Sequence, residues 1–182
     1  MRDVFEEGST LILGPSNVGK TRLTARALGR WVRQNGPSGV VVLEFAPELK
    51  RDGTVLGGRL SRFTSVPDDA FHGVVEVDAP RAESDTEDGA LTLARGNAER
   101  AFRVLAAAPA NPTAVFVNDA TIALQADADR ADALTDYCDH ASVTVCNAFE
   151  SDELGIEDSV SRNERTSLQS LRTWADRVVE LS

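Results

Sequence analysis

The sequence predicts an α/β fold of three layers, a mostly parallel central sheet flanked by helices, and three observations predict it. Short runs rich in β-branched residues alternate with amphipathic helical stretches, the pattern of successive βαβ units. Most of these runs are apolar at consecutive positions, as strands covered on both faces require. The first run also passes directly into a turn bounded by Gly14 and Gly19 and then into a helical pattern. At 182 residues the chain suits one well-cored domain, 1–182.

Taken in order, the predicted strands are Thr10–Leu13, Val40–Phe45, Val74–Val77, Ala114–Val117, Val143–Cys146 and Arg177–Leu181. A first helix is expected from Gly19 to Gln34, where Leu23, Ala27 and Trp31 repeat every fourth residue and Asn35-Gly36-Pro37 ends the pattern. A second, Ala90 to Ala107, gathers Leu91, Ala94, Ala98, Ala101, Phe102 and Leu105 on one face. A third covers part of Ala126 to Cys138. The last opens on Ser161-Arg-Asn-Glu164, read as a capping box, and buries Leu168, Leu171 and Ala175. Two stretches resist periodic assignment and are expected as surface loops: Pro47 to Asp69, with one short strand near Leu60 to Phe63, and the acidic Ala79 to Gly89. The acidic cluster Glu83 to Asp88 reads as solvated charge and not as a metal cage.

Composition narrows the classes of function. A formal charge of −10 and a pI near 4.7 argue against a nucleic-acid surface. No apolar run reaches the roughly 18 residues of a membrane span, so membrane insertion is not expected. The start, Met1-Arg-Asp-Val-Phe-Glu-Glu7, has acids where a secretory signal needs basic residues, and a cytoplasmic location is expected. Cys138 and Cys146 lack metal-ligand spacing and read as buried free thiols. His72 and His140 stand alone and read as structural or exposed.

Gly14-Pro15-Ser16-Asn17-Val18-Gly19-Lys20-Thr21 fits the phosphate-loop pattern G-x-x-x-x-G-K-[ST]. Glycines allow the backbone to curl so that several N–H groups face phosphate oxygens, and the following helix adds its positive end. Lys20 would reach the terminal phosphates and Thr21 a Mg²⁺ ion, with Arg22 a further nucleotide contact. Of the 19 basic residues only two are lysines, so a composition that avoids lysine has nonetheless placed one here. The motif requires a carboxylate for the metal shell at the tip of an apolar strand beside the first one. Thr113-Ala-Val-Phe-Val-Asn118-Asp119 supplies it, with Asp119 the metal-shell candidate and Asn118 an adjacent polar group. Glu44, at the end of the second strand, is the candidate for orienting the attacking water. Asn147, at a later strand tip, is a candidate sensor of the terminal phosphate. Arg162 and Arg165 follow an acidic loop and are candidates for a mobile Arg acting on the nucleotide or on a neighbouring subunit.

On these residues the chain resembles the P-loop NTPases, and within them the RecA/KaiC-like ATPase cores. The phrase Asn17-Val-Gly-Lys-Thr21 is also similar to translation-type GTPases, but the N-K-x-D guanine motif is missing from the late strand ending Cys146-Asn-Ala-Phe-Glu150. Asp152-Glu-Leu-Gly155 comes too late to be their D-x-x-G switch. ATP is therefore favoured over GTP, with ATP and Mg²⁺ as the implied ligands. The RecA/KaiC-like resemblance implies phosphate binding by Gly14–Thr21, water activation by Glu44 and magnesium at Asp119. It also implies a homo-oligomer or a protein partner. The order of elements is similar, too, to cobinamide kinases and corrinoid adenosyltransferases. A regulatory module that binds ATP without turnover is a further alternative. An acceptor pocket built by Pro47 to Asp69 would favour a kinase, and an Arg placed at a neighbour's phosphate an oligomeric ATPase.

Overall fold

Successive side chains of a strand point to opposite faces, and in the central strands of this chain both sets are apolar, so helices must cover the sheet on both sides. A computed structural model, which describes residues 7–51, 53–153 and 155–182, has that arrangement. Six strands form one parallel sheet: β1 (Gly8–Gly14), β2 (Val40–Glu44), β5 (Phe71–Val74), β6 (Ala114–Asn118), β7 (Val143–Phe149) and β8 (Arg177–Glu180). Their order across the sheet is β5-β2-β6-β7-β1-β8. The fold class is thus α/β in three layers, as the sequence predicts.

Leu11 and Leu13 of β1, Val41 and Leu43 of β2 and Val115 and Val117 of β6 enter one apolar cluster. That cluster is completed by α3 (Glu87–Ala107), α4 (Ala131–Cys138) and α5 (Ser159–Trp174). Ile12, Val40, Val42, Ala114 and Phe116 point the other way, against α1 (Lys20–Asn35) and Leu60. Among the described residues, one helix therefore covers one face and three cover the other. Cys138 and Cys146 are free and buried. Among the described residues no helix is long and apolar enough to cross a membrane. Residues Met1–Glu6, on which the absence of a secretory signal was read, lie outside the described part.

Several elements depart from the sequence reading. β6 does not lie beside β1: β7 is inserted between them, pairing with both. β5 begins and ends three residues earlier than expected, because Phe71, Gly73 and Val74 are the residues that reach β2, facing Val41, Leu43 and Glu44. Pro47 to Asp69 is not a plain loop. It forms an antiparallel hairpin, β3 (Glu48–Arg51) and β4 (Thr54–Gly57), followed by a 3₁₀ turn at Leu60–Arg62 where a strand was expected. Leu60 is held in that turn by its fully buried side chain and by its N–H, which donates to Glu44. Ala79 to Gly89 is helical over much of its length, as α2 (Pro80–Glu83) and the first turn of α3, capped by the Thr86 hydroxyl accepting from the Gly89 N–H at 3.1 Å. Finally, α5 starts two residues before Ser161. Its cap is Asp158, whose carboxylate accepts from the Ser161 N–H at 2.9 Å, so the predicted capping box is not formed.

Candidate functional site

The chain leaves β1 into α1 on one face of the sheet and leaves the adjacent strand β7 toward α5 on the other face. Loops that diverge from neighbouring parallel strands open a crevice at the strands' carboxyl ends, the place where open α/β sheets take ligands. Here that crevice lies between the turn Pro15–Gly19 and the end of β7 at Phe149.

The turn has the backbone expected of an anion cradle. Asn17 and Gly19 both adopt left-handed conformations, with φ of 61° and 104°. Gly14 is fixed by space: a Cβ there would lie 2.5 Å from the Leu181 carbonyl oxygen. Among the described residues no acceptor meets the N–H groups of Asn17, Val18 or Gly19, and α1 has neither a side-chain cap nor an acid in its first turn. Its free N–H groups and positive end therefore face the crevice without an internal anion. Lys20 closes the turn into a ring. Its ammonium donates to the carbonyls of Gly14 at 2.8 Å and Pro15 at 2.5 Å and lies 5.9 Å from the centre of the Phe149 ring. Two of its three protons are so used, leaving one for a ligand oxygen. Burial lowers the Lys20 pKa, opposed by the charges of Asp119 and Glu153. Arg22 is exposed on the first turn of α1, as are Ser16 and Asn17 on the loop.

Behind this loop lies a buried polar network whose direction is fixed by one backbone group. The Asp119 N–H can only donate, and it does so to Asn147 Oδ1 at 3.0 Å. The Asn147 amide nitrogen must then donate, to Thr24 Oγ1 at 2.9 Å and to Asn118 Oδ1 at 3.0 Å. Asn118 consequently turns its own nitrogen to Glu44 Oε2 and to the Gly58 carbonyl, each at 2.8 Å. The Thr21 hydroxyl joins at Asn118 Oδ1, 3.3 Å away. Glu44 is fully buried, and its other oxygen accepts from the Leu60 N–H at 2.8 Å with His72 Nε2 at 3.5 Å. Both oxygens of Glu44 are thus engaged, and it reaches Thr21 only through Asn118. Every member is partnered, as a buried polar cluster must be to hold its shape.

Asp119 stands apart from this chain of amides. It is a half-buried residue in the left-handed conformation, φ 62° and ψ 64°, a strained setting for a residue other than glycine. Its carboxyl accepts from the Phe149 N–H and from the Thr121 hydroxyl at 3.4 Å and feels the charge of Lys20. Burial, reinforced by the nearby carboxylate of Glu164, nevertheless raises its pKa to about 6.

The crevice therefore brings together Gly14–Thr21 and Asp119, with Asn147 and Glu44 one layer behind in the buried network. The side chain that meets Thr21 is Asn118. The two candidate arginines sit elsewhere. Arg162 bonds the Glu157 carbonyl, Ser159 Oγ and Glu87, all near the starts of α3 and α5, and Arg165 pairs with Asp152. Arg165 does line a cavity of about 450 Å³, with Phe149, Glu150, Glu164, Leu168 and Arg172 among the other walls, on the α5 side of the crevice. None of its described lining residues comes from Pro47 to Asp69, the segment where an acceptor pocket would favour a kinase. Sequence reasoning assigned Glu164 to a helix cap and gave no role of their own to Thr121, in the turn after the Asp119 strand, or to Arg81.

Thr21 and Asp119 offer a hydroxyl oxygen and a carboxylate, with Asn118 Oδ1 holding the Thr21 hydroxyl from behind. Such a set suits a small hard cation that keeps waters and takes further oxygens from phosphates; no cage of three or more His, Cys, Asp or Glu side chains occurs among the described residues. A scan against protein-family models finds no match to this chain, and a search of curated proteins finds none either.

Proposed function

We propose that this chain is a P-loop NTPase of the RecA/KaiC-like kind that binds Mg·ATP and hydrolyses it. The observation that carries the reading is the Gly14–Gly19 turn, with unpartnered N–H groups and a lysine drawn across it, at the crevice between β1 and β7. Gly14 to Gly19 would cradle the phosphates, Lys20 would share its remaining N–H with them, and Thr21, held from behind by Asn118, and Asp119 would hold the metal shell. A magnesium ion bound there would neutralise charge on the phosphate oxygens. Glu44 orients Asn118, and through it the acceptor that faces Thr21.

Asp119, with a pKa of about 6, is ionised at neutral pH and would face the cation. In the hydrolytic step a water oxygen bonds to the terminal phosphorus, and the bond to the bridging oxygen breaks. The water's proton is released to solvent, leaving ADP and inorganic phosphate. The cavity against α5 favours a second reading, in which a small hydroxyl compound replaces water as the nucleophile. Phosphate release from ATP by the wild-type chain and by Lys20→Ala and Asp119→Asn separates these outcomes. Free phosphate lost in both variants supports hydrolysis, ADP formed only with an added acceptor supports transfer, and turnover unaffected by either substitution refutes the assignment.

A further inference from the structure

Helix α1 carries Arg22, Arg26, Arg30 and Arg33 and no acid, in a chain whose formal charge is −10. At about 3.6 residues per turn these arginines fall within about 80° around the helix and spread over about 16 Å of its length. Ala25, Ala27 and Leu28 turn into the core, so the arginine row faces outward. Arg22, Arg26 and Arg33 are exposed, and among the described residues they form no ion pair or side-chain hydrogen bond. On the other face of the sheet, α4 and the 3₁₀ turn that leads into it, Ala128–Arg130, carry the reverse pattern. Asp129, Asp132, Asp136 and Asp139 are exposed and fall within about 80° of one another over about 15 Å. Among the described residues none of the four pairs with a base; Asp139 accepts from the Trp174 indole N–H at 2.7 Å. Arg130, within that stretch, instead lies 3.6 Å from the centre of the Phe102 ring.

Neither row is favoured by its own helix. Like charges one turn apart repel, as Arg22 does Arg26, Arg26 does Arg30 and Asp132 does Asp136. Arg22 at the positive end of α1 and Asp139 at the negative end of α4 also oppose the helix dipoles. Laid antiparallel, the rows come into register, Arg22, Arg26, Arg30 and Arg33 against Asp139, Asp136, Asp132 and Asp129. Beside the basic row, Phe63 is 49% exposed at the end of a turn that packs on α1 through Leu60, and it offers an apolar contact. We infer that α1 of one molecule docks on α4 of a second copy through these two rows. Two chains of this net charge repel in most orientations, and setting the acid-free helix against the aspartate row selects the orientation in which they attract. The rows lie on opposite faces of the sheet, so each contact leaves one α1 and one α4 open. Association therefore continues head to tail, into a ring or an open chain. It requires no nucleotide turnover.

The test is sedimentation velocity of the full chain over about 5–500 μM, in wild type, R26E/R33E, D132R/D136R and an equimolar mixture of the two variants. Wild type is expected to gain mass with concentration and to pass two copies, with a Kd on the order of tens of micromolar, as a few close charge pairs imply. Either variant alone has one intact row and one whose charge is cancelled, and its association weakens about tenfold or more, toward the 19.5 kDa of a single chain. In the mixture the intact α1 of D132R/D136R meets the intact α4 of R26E/R33E. One-to-one pairs then form with a Kd within about threefold of wild type and stop there. Charges that serve only solubility or helix stability give no such rescue. The four substituted side chains are exposed, and circular dichroism confirms that each variant folds. A wild type that stays a single chain or stops at two copies overturns the inference, as do variants that associate like wild type or a mixture that forms no pairs. A single-stranded oligonucleotide of about 20 nucleotides is added in a parallel run. Binding by a single-chain wild type that R26E/R33E loses assigns the arginine row to nucleic acid and overturns the docking.

Discussion

Asp119→Asn is expected to make the ligand-free protein more stable, and the size of the gain follows from the site. The folded carboxyl titrates at about 6 against an ordinary 3.8, because burial and the Glu164 charge favour its neutral form. The shift is about 2.2 units, and at 1.36 kcal/mol per unit the ionised group costs the folded state about 3 kcal/mol. The direction is that of a raised acid. Below pH 3.8 the group is protonated whether the chain is folded or not, and no penalty exists. As pH rises from 3.8 to 6 the unfolded chain ionises first, so stability falls across that window and the penalty stays constant above it. Solvent at the half-buried carboxylate trims the figure to about 2 kcal/mol. For a chain of this length that corresponds to a rise in Tm of about 4–8 °C at pH 7.5, shrinking to about 1 °C at pH 4. Thermal unfolding of wild type and Asp119→Asn from pH 4 to 8.5 reads both numbers. Saturating Mg·ATP should reverse the ranking, since the wild-type carboxylate then has a cation to face. A variant less stable than wild type at pH 7.5, or a difference that does not change with pH, would refute the reasoning.

Glu44→Gln sets its NH2 group against Asn118 Nδ2 or against the Leu60 N–H, whichever way the amide turns, and because the Asp119 N–H fixes the polarity of the network, Asn118 cannot turn to relieve the clash. A loss of about 1–3 kcal/mol in denaturant unfolding is expected, with weaker Mg·ATP binding; unchanged stability would show that the network is not polarised as described. Gly14→Ala puts a Cβ against the Leu181 carbonyl at φ 153°, and a Tm lower by at least about 3 °C is expected, whereas a wild-type Tm would mean that the end of β8 yields freely. Gly73→Ala drives a Cβ to 2.3 Å from Val104 of α3 and should cost about 1–3 kcal/mol without changing nucleotide affinity, a combination that equal loss of affinity would contradict.

What could be read from the sequence was local, and what could not was brought about by contacts distant in the chain. Thr10–Leu13 and Val143–Cys146 announce strands because both faces are apolar, and the structure only lengthens them. The strand at Phe71–Val74 is harder to see, since His72 and Gly73 are poor strand formers and the segment is an edge strand paired with β2. The sequence pair Asp52-Gly53 is a hairpin signal, and Gly53 has a φ of 78°, but the charge around it hides the turn. Leu60 is bent into a 3₁₀ turn by a carboxylate sixteen residues earlier. Ser161-Arg-Asn-Glu164 meets the letter of a capping box, yet Arg81 and Gln125 pull Glu164 inward and leave the cap to Asp158. At the candidate site the motif residues Gly14–Thr21 and Asp119 share one crevice, and Asn147 lies behind them in the buried network. That Asn118, and not its neighbour, faces Thr21 depends on the left-handed turn at Asp119, which no pattern of residue types announces.

The central claim is that the turn after β1 binds the phosphates of Mg·ATP through Lys20. Calorimetric titration of Mg·ATP into the wild-type chain and into Lys20→Ala, with Mg·GTP as competitor, tests it most directly. The expected result is saturable one-to-one binding by wild type that GTP displaces poorly, and a loss of about a hundredfold or more in affinity in Lys20→Ala, as removal of a charge-assisted contact at a buried site implies. Equal affinity in the two proteins, or no binding by the wild type, would contradict it.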